Sequence, residues 1–342
     1  MADLFGLSLL AIGAIILTWG FDFVNGFHDS ANSIATVIAT KVLSPVKAVT
    51  MAAFFEFLGV LVVPAVALTI WKGIIYDSAV VASVGQQLIP LVIAALMGAV
   101  IWDLITWWLA IPTSSSHALV GGLLGAGGAA AGLAVVNWGG VEKVAAFIVI
   151  SPLAGIVIGF FVVIIVMRIM RRVPRAKSNR WFRRLQLVSA AAYAFSHGAN
   201  DAQKGMGIVM PILVGAGAAT DSDTIFLWVK ISCCGALAAG TFFGGWRIVK
   251  TMASRITKLE PYQGFSAETG AAAMLGTTAV MGIPVSTTHT IFGSIMGVGA
   301  AKGMSAVRWG IGRRIVWAWV ITIPAAATIS GIIFWSYLNF LM

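Results

Sequence analysis

Charge is what this sequence has least of. Asp, Glu, Lys and Arg make up 10% of its 342 residues, against roughly a quarter in soluble globular proteins. Together with 59% hydrophobic residues and a mean hydropathy of +0.97, this excludes a water-soluble globule. No polar stretch is long enough to form a separate soluble domain. Cysteine is nearly absent too. Cys233 and Cys234 are neighbours in an apolar run, a poor arrangement for a structural disulfide, and read as small packing residues. No nucleotide-binding motif is present, which speaks against a primary pump. The first twenty residues carry an acid, Asp3, and no basic n-region, so they read as a retained span rather than a cleavable signal peptide.

What is present instead is a series of apolar runs of about 20 residues, the length that crosses a bilayer, rich in Gly, Ala and Leu and therefore helical rather than barrel strands. They cover residues 4–24, 45–71, 88–110 and 144–170, then 185–214, 224–246, 265–282, 284–301 and 315–341. The net charge of +10 does not point to nucleic acid as a partner. The basic residues sit at the ends of apolar runs, as the positive-inside rule expects of a membrane protein.

The chain also repeats itself. Asn25, Gly26, His28 and Asp29 begin the run NGFHDSAN, and His197, Gly198, Asn200 and Asp201 give HGAND, with His and Asn exchanged and an offset of 201 − 29 = 172. At the same offset IPTSSSHALVGGLLGAG from Ile111 matches IPVSTTHTIFGSIMGVG from Ile283. All four histidines, His28, His117, His197 and His289, fall in these motifs. Such a repeat in a membrane protein marks many transporters, whose substrate site lies where the halves meet.

Charge orients the halves. Residues 168–184 form a basic linker between a first repeat, 1–167, and a second, 185–342, and belong in the cytoplasm. The loop with Arg247, Lys250, Arg255 and Lys258 is basic, while its first-half equivalent, 75–86, carries Asp77 and no Lys or Arg. Equivalent loops therefore lie on opposite sides, which requires an odd number of crossings per half. Five fits if each PTSSSH-type segment pairs with the span before it. The expected fold is an all-α polytopic membrane protein of two inverted-topology repeats with discontinuous or re-entrant helices, both termini outside the plasma (inner) membrane.

Within the first motif Asn25, Asp29, Asn32, Thr36 and Thr40 share one helix face and resemble an ion path. A carboxylate is costly in a bilayer, so Asp29 and Asp201 must face protein or water and are candidates to bind a cation or proton. Asn25, His28, Asn32, His197 and Asn200 would assist them. The alternative is a buried acid satisfied by nearby hydroxyls and amides. Thr113, Ser114, Ser115, Ser116, Ser286, Thr287 and Thr288 offer an oxyanion hydroxyls and free backbone N–H groups at positive helix starts. Small residues packing between helices are the bland alternative. Four histidines raise zinc, but His28 and His197 exchange with Asn and no Cys is near, so no permanent metal is expected. Further buried charges are Glu56, Asp103, Lys204, Lys230 and Glu268. Lys204 stands where the first half has Asn32, and Lys230 has the reach to snorkel.

SHGANDAQKGMGIV and NGFHDSANSIATVIATKV, each with a later segment of Pro, Ser and Thr residues and His in its own half (PTSSSH and PVSTTH), resemble the PiT-type inorganic phosphate transporters, in particular the bacterial low-affinity Pit branch. The likeness covers nearly the whole chain apart from a hydrophilic insertion that longer members carry. It implies essential acids at Asp29, Glu56, Asp201 and Glu268, essential serines at Ser114 and Ser286, and a homodimer. It implies a secondary active transporter and no enzyme, importing phosphate by cation symport without a bound cofactor. Alternatives are a sodium-coupled symporter, a sulfate permease of the same family and an anion channel. A dianion entering a negative-inside cell meets roughly 4.6 kcal/mol of opposition at 100 mV, so compensating cations must accompany it. His28, where sodium-coupled relatives have Asn, favours protons, with metal-phosphate as a possible form of the substrate.

Membrane-impermeant thiol labelling tests the orientation. A cysteine introduced near Met342 should react from outside intact cells and one at Ser178 should not; the opposite pattern would overturn the inverted topology.

Overall fold

The computed structural model describes residues 7–61, 65–74, 87–220, 224–283 and 285–340. The loop 75–86 with its Asp77, the chain ends and Pro284 of the second repeated segment lie outside these. Among the described residues the chain is all helix: α1 Leu9–Ala39, α2 Pro45–Phe57, α3 Ala65–Ile74, α4 Leu88–Trp108, α5 Ser115–Ala131, α6 Trp138–Met170, α7 Arg175–Gly215, α8 Leu227–Phe243, α9 Trp246–Ser254, α10 Pro261–Val280, α11 Thr287–Ala300 and α12 Trp309–Phe340.

The 172-residue offset carries α1 onto α7, α4 onto α10, α5 onto α11 and α6 onto α12. Even the turns repeat. After α4, Ala110 (φ 56°) ends the helix with Ile111 N bonding Thr106 O, and after α10, Gly282 (φ 67°) does the same with Ile283 N bonding Thr278 O. Both are αL terminations that satisfy the last carbonyls. The inversion is visible where α1 meets α7: Thr40 contacts Gln186, His197 and Asp201 lie with Asp29, and Lys204 reaches Asn25. Rising numbers on one helix meet falling numbers on the other, so the two counterparts run antiparallel.

Several elements differ from the hydropathy reading, each for a physical reason. The first span does not stop at Val24 but continues as one helix to Ala39, because the polar face of its motif is satisfied by other helices. The run 45–71 is broken: α2 ends at Phe57 and a 3-10 turn covers Leu58–Leu61. Here the backbone at Gly59 lies against Gly198 and Ala199, an approach that no side chain at Gly59 would permit. The basic linker is helical apart from the turn 171–174, its remainder belonging to α6 and α7. Gly244 (φ 74°) separates α8 from α9, which diverge by 68°.

On length and composition α1, α4, α6 and α12 can each cross a membrane, and α8 with α9 could form one bent span. At 17 and 14 residues, α5 and α11 are about 25 and 21 Å long, shorter than a hydrocarbon core of roughly 30 Å. They start within the protein, where their free N–H groups are sheltered from lipid.

The repeats interlock through these short helices. Each packs on the last helix of the other half, α5 on α12 and α11 on α6. Each does so with two glycines four residues apart: Gly121 and Gly125 face the carbonyls of Ile323 and Ala327, and Gly293 and Gly297 face those of Pro152 and Ile156. Without a hydrophobic drive between helices in lipid, such close backbone contact is the main source of association. A Cβ added at any of the four would collide with a carbonyl oxygen. Gly125→Val should therefore destabilise the protein by about 1–3 kcal/mol, lowering its unfolding temperature in detergent. Gly13→Ala, on an open face with nothing within 4 Å, should leave it unchanged. Equal behaviour of the two variants would contradict this packing.

Candidate functional site

The two Asp motifs, 172 residues apart, meet at the centre of the fold. Ligand atoms of Asp29, His197 and Asp201, all buried, lie within 4.8 Å of one another, close enough to share one cation. Only one of the four histidines joins this group, so the structure brings together no set of four imidazoles. His28 Nδ1 instead lies 2.9 Å from Asp29 Oδ1, and its Nε2 is 3.1 Å from Thr106 Oγ1. His197 Nδ1 is 2.9 Å from Glu56 Oε1 and its Nε2 3.3 Å from Asp201 Oδ2.

Both short helices begin here. Ser115, in the first turn of α5, reaches Asn25 Oδ1 at 2.5 Å and Asp29 Oδ2 at 3.2 Å. Thr288, in the first turn of α11, accepts from Asn32 Nδ2 at 2.9 Å and donates to Asp29 Oδ1 at 3.3 Å. One carboxylate of the first repeat thus touches helix starts from both halves, and the positive ends of two helix dipoles converge on it. The rings of His117 and His289, one turn further along, lie 4.9 Å apart.

The other expected residues divide by role. Ser114 and Ser286 are N-caps, accepting from the backbone N–H of His117 and His289 at 3.4 and 3.2 Å. Thr113 is turned to Thr106 at 2.9 Å and to the His28 ring. Thr287 is buried, and its carbonyl accepts from the Tyr193 hydroxyl. Ser116 is half-buried and, with His117 and Lys204, lines a cavity of about 730 Å3. That cavity extends to the start of α6, where Lys143 is exposed. Asn200 uses its Nδ2 on the carbonyls of Ser196 and Leu275.

The repeat-related positions carry larger side chains. Trp319 is the repeat counterpart of Phe147, a cavity-lining residue. It is buried, stacks on His289 with ring centroids 3.8 Å apart and donates from Nε1 to Pro112 O at 2.9 Å. Phe292, the counterpart of Val120, packs on its edge. Asn25 Nδ2, Asn32 Oδ1, Asn200 Oδ1 and Asp201 Oδ1 are buried with no hydrogen-bond partner among the described residues.

A sequence profile described as "Phosphate transporter family" matches residues 25–330. This chain belongs to that family. The transporter is 50% identical over 328 residues to a probable low-affinity inorganic phosphate transporter of Rhizobium meliloti, covering 96% of each chain. It is 43% identical over 327 residues to one of Bacillus subtilis, covering 95% of this chain and 96% of that one. In structure it is similar to a solved sodium-dependent phosphate transporter, with a TM-score of 0.85 and 25% identity over 97% of this chain and all of that one. It is a membrane transporter and not an enzyme.

Both acids that the likeness singled out besides the Asp pair sit in cradles whose other members the sequence did not disclose. Glu56 accepts from Ser33 at 2.7 Å and from Thr241, besides its contact with His197. Glu268 accepts from Gln186 at 3.0 Å and Ser189 at 2.5 Å, and Gln186 in turn accepts from Thr40. Asp22 was missed altogether. It is fully buried, and its carboxylate fills the hollow beside Gly205. Its spacing of three and seven residues before Asn25 and Asp29 puts it on the same helix face, the signal that could have found it. Asp103 is buried, with neither oxygen hydrogen-bonded among the described residues, and Lys230 is partly exposed.

Proposed function

We propose that this transporter imports inorganic phosphate across the plasma (inner) membrane by cation symport, coupled to protons. The observation that carries the reading is the meeting of two helix starts and two Asp motifs, one of each from either repeat, at the inner end of a cavity. Phosphate binds between the halves. It takes hydroxyls from Ser115, Ser116, Thr287 and Thr288 and the free N–H groups of two helix starts, which Ser114 and Ser286 hold in place as caps. Thr113 acts at one remove, through His28. Asp29 and Asp201 hold the compensating positive charge, assisted by Asn25, His28, Asn32, His197 and Asn200. Glu56 and Glu268 are further transport acids, each held in its own cradle. Assembly is homodimeric.

The linker 168–184 is cytoplasmic and both termini are external. The cavity opens at the start of α6, about 50 Å of helix away from that linker, so it faces outward. An anion channel is disfavoured because the larger Trp319 and Phe292 stand at the positions related to the cavity-lining Phe147 and Val120. Solvent and substrate then enter from one side at a time, as alternating access requires.

Sodium coupling is the second reading. The structural neighbour is sodium-dependent, and Asn32 Oδ1 and Asn200 Oδ1 are uncommitted oxygens. Protons are favoured because His28 and His197 both touch carboxylates of the site, placing an imidazole that can carry a proton against each acid. The mixed carboxylate and imidazole group of Asp29, His197 and Asp201 also suits a divalent metal accompanying phosphate. The sulfate permease alternative has no such support.

Uptake of labelled phosphate into proteoliposomes, with proton, sodium and divalent-metal gradients imposed one at a time, tests the reading. An inward proton gradient should drive accumulation without sodium. Ser116→Ala should raise the half-saturating phosphate concentration roughly tenfold, the worth of one hydrogen bond to a charged group. Uptake that requires a sodium gradient and ignores pH would overturn the proton assignment, and an unchanged half-saturation would move the anion site elsewhere.

A further inference from the structure

The repeat breaks its own symmetry at one charged position in the site. Where the first half has Asn32, whose amide donates to Thr288, the second has Lys204. Its side chain is buried, and the ammonium has three oxygens around it: Ser115 Oγ at 2.8 Å, Asp201 Oδ2 at 3.0 Å and Asn25 Oδ1 at 3.4 Å. An ammonium carries three donors and no acceptor, so this set uses all three. One carboxylate, one amide carbonyl and one hydroxyl are also the kinds of oxygen that a hard cation gathers. The three come from α1, α5 and α7, which is to say from both repeats.

We infer that Lys204 is a tethered cation: its ammonium holds the position beside Asp201 that a free coupling ion would otherwise occupy, and the site exchanges one cation fewer than its two carboxylates suggest. The inference rests on the reading of this site as one for phosphate with a coupled cation. Asp29 and Asp201 together carry two negative charges and Lys204 one positive charge, leaving room for a single exchangeable ion in the group formed by Asp29, His197 and Asp201. Of the titratable groups around it, Glu56 is held by Ser33, Thr241 and His197, His28 by Asp29 and Thr106, and Asp22 sits beside Gly205. An amide at position 204, as at its counterpart, would leave room for two. The fixed charge also lines the cavity, so an arriving phosphate meets positive charge whether or not a mobile cation has bound.

Equilibrium binding of labelled inorganic phosphate to the purified full-length protein decides the matter, titrated with sodium at fixed pH and with pH at zero sodium. Lys204→Asn should bind phosphate with a stronger cation requirement than wild type, the slope of log affinity against log cation concentration rising by about one in one of the two series. Asp201→Asn, which leaves Asp29 balanced by Lys204, should lower that slope. If Lys204→Asn does not fold, as judged by thermal unfolding in detergent, Lys204→Gln, which keeps more of the stem and removes the charge, is titrated in its place. Unchanged slopes would overturn the tethered-cation assignment. So would a folded Lys204→Asn protein that binds no phosphate at any cation concentration, since the ammonium would then serve the anion directly. Failure of the wild type itself to bind phosphate would instead remove the substrate reading on which this rests.

Discussion

Two carboxylates buried in the centre of a membrane protein must be supplied with positive charge and hydrogen-bond donors by the protein around them, because lipid supplies neither. Asp29 meets this constraint by drawing on both halves, and Asp201 by drawing on its own helix. Asp29 is reached by Ser115 from α5 and by Thr288 from α11, while Asp201 has Lys204 and His197 from its own helix. The halves are joined there, since Thr288 crosses to Asp29 and Lys204 crosses to Asn25 and Ser115. The glycine contacts of α5 on α12 and α11 on α6 allow the approach, since they let backbones touch where side chains would hold the helix starts apart.

Function depends on where the repeat is imperfect. Phe147 and Val120, which line a cavity, correspond to the larger Trp319 and Phe292, which pack on one another and, through Trp319, on His289. The polar centre shows the same kind of departure: His28 sits directly beside Asp29, whereas His197 comes four residues before Asp201 and bridges to Glu56. The scaffold repeats, and the chemistry differs.

Much of this was legible in the sequence because the repeat is a strict count. The offset of 172 fixed which residues correspond, and the buried polar stripe from Asn25 to Thr40 forms one helix face as its spacing requires. Other features depend on contacts that no local pattern records. The break after Phe57 arises where Gly59 meets Gly198 and Ala199, 139 or more residues away. Thr241, Gln186 and Ser189 are ordinary polar residues until Glu56 and Glu268 are brought to them. Ser114 and Ser286 carry a motif that suggests direct anion contact, yet their hydroxyls are engaged in capping helices. Asp22 stood in an apolar run one turn ahead of the motif, and no repeated partner drew notice to it.

The central claim is that the two Asp motifs form one shared site and not two independent ones. A double-mutant cycle on cation-dependent phosphate uptake, comparing Asp29→Asn, Asp201→Asn and the double variant at matched protein levels, tests it most directly. Residues acting within one site couple, so the double variant should lose little more than the worse single variant, with an interaction energy in the range of about 0.5–3 kcal/mol. Strictly additive losses would contradict the account.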